Sequence, residues 1–242
     1  MEVEFIENSP ALLVKRENLL VVGDVHVGRD VKLMRSGIHL PYATERIARE
    51  ILELCRKCRA KGVVLLGDVK DSVGYPTREE YQELGRFFYQ LRDIDVTITK
   101  GNHDPRIEEV LKRLGADVKV EKELLLGKVA LMHGHAMPSD EAMTKSCVVT
   151  AHSHPAVRIN GKLEKAWAVA GTGDGAGRFY EKYNKRIRLV VMPAFNELIT
   201  GSDLSTGYKF SPLFRNRIFD LESAKIYDLG KKLIGNTASL TG

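Results

Sequence analysis

Two apolar runs set the frame for this chain. NLLVVGDVHVG at residues 18–28 and GVVLLGDVKDS at 62–72 each carry four uninterrupted apolar residues straight into Gly-Asp. A run without polar alternation suits a strand buried on both faces, as at the centre of a parallel sheet covered by helices. Each aspartate then stands at a strand's carboxyl end, where open α/β sheets hold their ligands. Gly-Asp also begins ordinary turns, so a single copy would decide nothing.

With 242 residues, 43% of them hydrophobic, the chain can bury one substantial core. No stretch approaches the roughly 20 apolar residues of a membrane span, and MEVEFIENSP lacks both the basic and the apolar parts of a signal peptide. The expected setting is cytoplasmic, without a membrane partner. Cys55 and Cys58 form a lone CxxC with no second pair to complete a zinc site, so they and Cys147 read as packing thiols. A formal charge of +5 and a pI near 9.0 lean toward an anionic partner, although no basic run is long enough for a nucleic-acid arm.

The first 23 residues predict an edge meander of three strands, VEFI, ALLV and NLLVV. Residues 41–60 predict a helix with Ile47, Ile51, Leu54 and Cys58 on one face. A strand at 63–66 and a helix over about 77–92 follow, the latter with Tyr81, Leu84, Phe88 and Leu91 as a core stripe. DVTITKGNHD is a strand ending in polar residues, with Pro105 fitting the first turn of the next helix. Strands fill 117–132, a short helix lies near 139–145, and CVVTAHSHP is another apolar strand. In the last stretch, 205–242, RIFDL and AKIYDLGKKL predict two closing strands. Alternation of strand and helix, then mostly strands, predicts a layered α/β domain whose second half adds an antiparallel or mixed sheet.

Of the seven histidines, His26, His103, His133, His135, His152 and His154 follow apolar strand-like runs; His39 stands apart. Five segments, GDVH, GDVKD, GNHD, HGH and HSH, end strands with Asp, Asn or His. Imidazole and carboxylate together suit manganese, iron, zinc or nickel. At least two aspartates, one asparagine and four histidines exceed the needs of one ion, so two ions about 3.5–4 Å apart are expected, bridged by a carboxylate. Such a pair lowers the pKa of a bound water toward roughly 7 and neutralises a phosphate.

In this order, DxH in GDVHVG, GDxxD in GDVKDS, GNHD in KGNHD, HGH in LMHGHA and HxH in TAHSHP, the chain resembles the calcineurin-like metallophosphoesterases over residues 23–155. PAF at 193–195 and the later SPLF resemble the archaeal group related to SbcD and to the ligase-associated phosphoesterases. The resemblance implies an α/β metallophosphoesterase-type layered sandwich, two mixed β-sheets flanked by helices. Residues 1–242 would form a single domain, with strands from about 187 to 242 closing the second sheet. By the same resemblance, Asp24, His26 and His154 hold one metal, Asn102, His133 and His152 the other, and Asp68 bridges. Manganese heads the implied ions, with nickel, iron or zinc as alternatives. His103 would be the general acid protonating the leaving oxygen after attack by a metal-bridged hydroxide, with Asp104 orienting its imidazole. Asp71 would steer a ligand by hydrogen bonding, and His135 would touch substrate or a ligand. Ala151 departs from the family's GHxH, where its methyl could crowd the loop.

AGTGDGAGR at 170–178 lacks the GK[ST] of a phosphate-binding loop and reads as a hairpin loop. Beyond it, Arg178, Lys182, Lys185, Arg186 and Arg188 interleave with Phe179, Tyr180 and Tyr183. Arg178, Lys182 and Arg186 are candidate nucleic-acid contacts, against the plainer reading of a solvated strand face. Trp167 lines the cleft or fills the core of the second sheet. The expected function is hydrolysis of a phosphodiester, of nucleotides or nucleic acid; a phosphomonoesterase and a non-catalytic metal-binding scaffold for protein partners are the alternatives. Protein partners themselves leave no signature in the sequence.

Overall fold

A computed structural model of the chain describes residues 2–38, 43–206 and 211–240. His39, the start of the expected 41–60 helix, and parts of the expected closing stretch (207–210 and 241–242) lie outside the described residues. The first sheet runs in chain order through β1 (Val3–Phe5), β2 (Ala11–Val14), β3 (Leu19–Val22), β4 (Gly62–Leu66), β5 (Asp95–Thr99) and β6 (Lys119–Glu121). β1 to β3 form the antiparallel meander, and β3 to β6 are parallel. Parallel neighbours need crossovers, and helices supply them: α1 (Arg29–Arg35) and α2 (Ala43–Cys58) after β3, α3 (Arg78–Gln90) after β4, and α4 (Ile107–Leu114) after β5.

The second sheet contains β7 (Glu123–Leu126), β8 (Val129–Met132), β9 (Cys147–Thr150), β10 (Pro155–Ile159), β11 (Lys162–Thr172), β12 (Arg188–Val191), β13 (Ser202–Asp203), β14 (Phe219–Asp228) and β15 (Leu233–Asn236). Its order is β13-β10-β11-β12-β9-β8-β7, with β14 also on β11 and β15 on β14. Short helices α5 (Asp140–Met143), α6 (Ala176–Phe179), α7 (Pro212–Arg215) and α8 (Thr237–Leu240) punctuate the connections. No helix of the described residues is long and apolar enough to cross a membrane.

Both sheets are mixed, and three cores follow from their faces. Helical residues Ile47, Ile51, Leu84 and Phe87 pack on Val22, Leu65 and Ile98 of the first sheet. Between the sheets, Val21, Val64 and Leu66 meet Leu131, Val149 and Val190. Beyond the second sheet, Val148, Ala168 and Ile226 carry Leu213 and Phe214. Trp167 belongs to the middle core, fully buried and stacked on Phe5 with ring centroids 4.2 Å apart, and does not line a cleft.

Two local expectations give way. Pro105 lies outside α4, in a turn closed by the Ile107 N–H on the Asp104 carbonyl at 3.2 Å; the buried Asp104 delays the helix. RIFDL and AKIYDL are not two strands but the two ends of β14. Asp220 pairs with Gly171 and Lys225 with Val169, so β14 spends extra residues opposite a short step of β11. That bulge interrupts the sequence pattern at Glu222-Ser223, two consecutive exposed residues.

Candidate metal centre

Five strand ends converge on one rim. β3, β4 and β5 are parallel neighbours, and so are β8 and β9, so the loops beginning at Gly23, Gly67, Lys100, His133 and Ala151 leave the sandwich on one side. The first two are stitched together: His26 N–H donates to Asp68 O at 2.9 Å and Val27 N–H to Val69 O at 2.8 Å. Gly67 has φ +76, and a Cβ on it would stand 2.3 Å from the His133 ring. At Gly23 the reason is different. A Cβ there would lie 2.6 Å from the Ala151 methyl: the departure from GHxH is accommodated because residue 23 lacks a side chain.

Asp24, His26, Asp68, His152 and His154 all have positive φ, between 40 and 63. None is glycine, and this left-handed backbone is strained for each. It turns successive side chains toward the rim.

The ligand atoms gather in three overlapping groups, each within 4.8 Å: Asp24, His26 and His154; His26, Asp68 and His103; Asp68, His133 and His152. His133 Nε2 is 3.0 Å from Asp24 Oδ1 and 3.5 Å from Asp68 Oδ2. His26 turns Nδ1 toward Asp71 Oδ1 at 3.4 Å, too poorly aligned for a hydrogen bond, and both of its ring nitrogens are buried without a hydrogen-bond partner. His154 Nε2 lies 3.2 Å from Asp24 Oδ1 without the alignment of a hydrogen bond. Orphaned, buried imidazole nitrogens converging with carboxylates are what a divalent cation would satisfy. The residues present fit such ions.

Burial would raise the Asp24 carboxyl pKa, yet the charge of His154 and a hydrogen bond from His133 hold it well below the usual range. Burial disfavours a charged His133, but its hydrogen bond to Asp24 reverses the sign and raises its pKa. His152 is pushed down to about 4 by burial and by His133, which keeps a neutral imidazole, the form that ligates metals.

His103 is fixed twice. Its backbone N–H donates to Asp68 Oδ1 at 2.8 Å, and its Nδ1 lies 2.5 Å from the Asp71 carbonyl oxygen. A carbonyl only accepts, so Nδ1 carries the proton and Nε2 faces the rim, 3.9 Å from Asp68 Oδ2. Asp104 therefore does not orient this imidazole as expected. Fully buried, it accepts from the N–H groups of Val69, Lys70 and Gly101 at 3.0–3.3 Å, tying the GNHD loop to the GDVKD loop. Burial, then the charge of Asp68, raises its pKa.

Several supports leave no motif in the sequence. Lys70 is fully buried, and its Nζ donates to the carbonyls of Ser72, Gly74 and His103. Glu80, on the helix read as plain core, accepts from the Ser72 N–H at 2.8 Å. Asn196 Nδ2 donates to Val25 O at 2.8 Å, and Lys165 Nζ donates to the carbonyls of Ala194 at 2.6 Å and Asn196 at 2.8 Å. Ser211 Oγ donates to Gly134 O at 2.7 Å. A buried cation beside Asp, read from the chain as GDVKD, is the one available signal for Lys70.

Asn102 is exposed on the loop beside His103. His135 is exposed too, its Nδ1 3.1 Å from His133 Nδ1. In the 170–178 loop the amides of Gly173 and Gly175 are used by Ile218 O and Arg217 O, at 2.8 and 3.0 Å. Arg178, Lys182 and Arg186 are exposed on a segment whose Tyr180 and Ile187 pack into the outer core. The structure does not bring these three into the ligand groups.

A family model described as calcineurin-like phosphoesterase superfamily domain matches residues 18–183. Among solved structures, Pseudomonas putida nuclease MPE is similar at 18% identity and a TM-score of 0.62, over 94% of this chain and 97% of that one. Yfce, a phosphoesterase from E. coli, is similar at 18% identity and a TM-score of 0.42, over 90% and 96%. A comparison with curated proteins finds no match.

Proposed function

We propose, for a chain that belongs to the calcineurin-like phosphoesterase superfamily, that it hydrolyses phosphodiester bonds of nucleotides or nucleic acid with two divalent metal ions. The observation that carries this reading is the run of three ligand groups, with Asp24, His26 and His154 at one end and Asp68, His133 and His152 at the other; Asp68 is also grouped with His26 of the first set, so it is the carboxylate placed to be shared. Asp24, His26 and His154 would hold one ion, and His133, His152 and Asn102 the other. Bound there, the pair would activate water and offset the negative charge at phosphorus. Manganese is the ion proposed from the mixed nitrogen and oxygen donors; nickel, iron and zinc share that preference.

His103 is the proposed general acid. With Nδ1–H held by the Asp71 carbonyl, the imidazolium form would carry its second proton on Nε2, and giving that proton to the leaving oxygen would leave the neutral Nδ1–H tautomer. Asp71 also braces His26, so one residue orients both imidazoles. Beside His103 a cavity of about 300 Å³, lined by Lys32, Arg35 and Val73 together with Asp71 and Glu80, gives the leaving group room. That supports a diester with an extended leaving group over a bare monoester. A nuclease with the same fold, MPE of P. putida, agrees with this class at the level of fold. Retention of every ligand type argues against a bare scaffold. The affinity to the SbcD-related and ligase-associated group is likewise proposed: Phe195 of PAF and Ser211 of SPLF hydrogen-bond the loops at Gly23 and Gly134. Arg178, Lys182 and Arg186 are proposed contacts for a longer nucleic acid.

The test is hydrolysis of a chromogenic phosphodiester and its matching monoester by metal-stripped protein, with manganese, nickel, zinc and magnesium restored one at a time. Diester cleavage restored by metal supports the reading. Monoester cleavage alone would turn it to a phosphatase, and silence with every ion to a scaffold.

A further inference from the structure

A cavity of about 530 Å³ opens in the seam between the sheets, far from the rim just described. Val3 pairs with Val14, Val14 with Leu19, and Leu19 with Gly62, so this region lies at the first residues of β3 and β4, whose last residues lead into the metal loops. Arg188, also lining it, is the first residue of β12.

The cavity has a structural origin. Among the described residues β1 is an edge strand, paired only with β2, so the inner face of the second sheet continues past it. The bulge of β14 against Val169 and Gly171 widens the gap, and nothing lies within 4 Å of where a Gly171 side chain would begin. The floor is aromatic, with the Tyr227 ring at 71° to that of the almost fully buried Phe5. Phe5 lies on Trp167, with Tyr227 edge-on to Phe5 at 6.3 Å. The walls carry Lys15, Arg188, Lys225 and Lys231 against one carboxylate, Glu4, which is paired with Lys15 at 3.2 Å. An apolar floor with a few convergent polar groups is how small-molecule sites are built, and the volume falls in their range.

We propose that this cavity binds a small anion carrying a flat aromatic ring, a nucleoside monophosphate in chemical type. The ring lies against Phe5 and Tyr227, and the phosphate meets Arg188 and Lys225, where guanidinium and ammonium suit phosphate oxygens. The inference stands apart from the metal chemistry.

Calorimetric titration of the full, metal-stripped chain with AMP, adenosine and inorganic phosphate tests it, chelator removing the phosphate affinity of the rim. The expected result is saturable AMP binding at one site, with adenosine and phosphate each at least about tenfold weaker. Gly171→Phe, which fills the cavity, should abolish binding, and Arg188→Glu should weaken it at least about tenfold. Thermal melting reports whether each variant folds; if Gly171→Phe does not, Arg188→Glu alone decides. AMP affinity unchanged in Arg188→Glu, or no saturation with the wild-type chain, would overturn the proposal. So would a solution dimer dissociated by Arg188→Glu, which would give the cavity to a second copy.

Discussion

Left-handed backbone at Asp24, His26, Asp68, His152 and His154 costs on the order of 1 kcal/mol or more at each position. The surroundings must hold these residues there; close to Asp68, one buried ammonium, that of Lys70, ties the carbonyls of Ser72 and Gly74 to that of His103. Lys70→Met should cost about 2 kcal/mol, because the partly buried carbonyls of Ser72 and His103 lose their donor; denaturant unfolding measures it. At the rim, His103→Ala should keep both metals and lose about 100-fold or more in turnover, whereas Asp68→Asn should lose metal. Elemental analysis beside kinetics separates them, and equal metal loss would refute the division of roles. The motif residues were legible because each block ends an apolar run. Lys70 and Asn196 were not: their bonds to the carbonyls of His103 and Val25 join stretches far apart in the chain. Asp104 was misread for the same reason: adjacency to His103 in the chain concealed two amides of the GDVKD stretch and one of its own loop.

Among the elements, strands were the easier reading. NLLVV and GVVLL announce β3 and β4 because both faces are covered, whereas the bulge hid the continuity of β14. Turns were harder, and the turn at 194–196 shows why. Its carbonyls are capped by Lys165 of β11, half a sheet away in sequence. Burial lowers the Lys165 pKa to about 8, from an ordinary 10.5. Between those values the unfolded chain holds a proton that the folded chain has released, so this lysine's contribution to stability rises with pH through that window. Relative to Lys165→Met, the wild-type chain should therefore gain stability from pH 8 to 10; a difference flat with pH would contradict the shift. Gly67→Ala should be worse than its size suggests, by roughly 2 kcal/mol or more, since it combines φ +76 with a clash against the His133 ring. Thermal melting would register it.

For the molecule as a whole, the proposed ligands come from both sheets. Asp24, His26 and Asp68 follow strands of the first, and His133, His152 and His154 strands of the second, so ions held between them would also fasten one sheet to the other. Metal at about 100 times its Kd should add roughly 3 kcal/mol per site and raise the melting temperature by roughly 5–10 °C, because it binds the folded chain alone. The layered α/β plan was readable from the order of strands and helices, but the facing of the sheets was not, because it rests on contacts such as Gly23 against Ala151. The most direct test of the two-ion centre is the stoichiometry of manganese taken up by metal-stripped protein, followed by calorimetry and elemental analysis, with phosphodiester hydrolysis measured at each step. Two ions per chain, with turnover appearing as the second binds, is the predicted result. A single ion at saturation, or hydrolysis indifferent to chelation, would contradict the account.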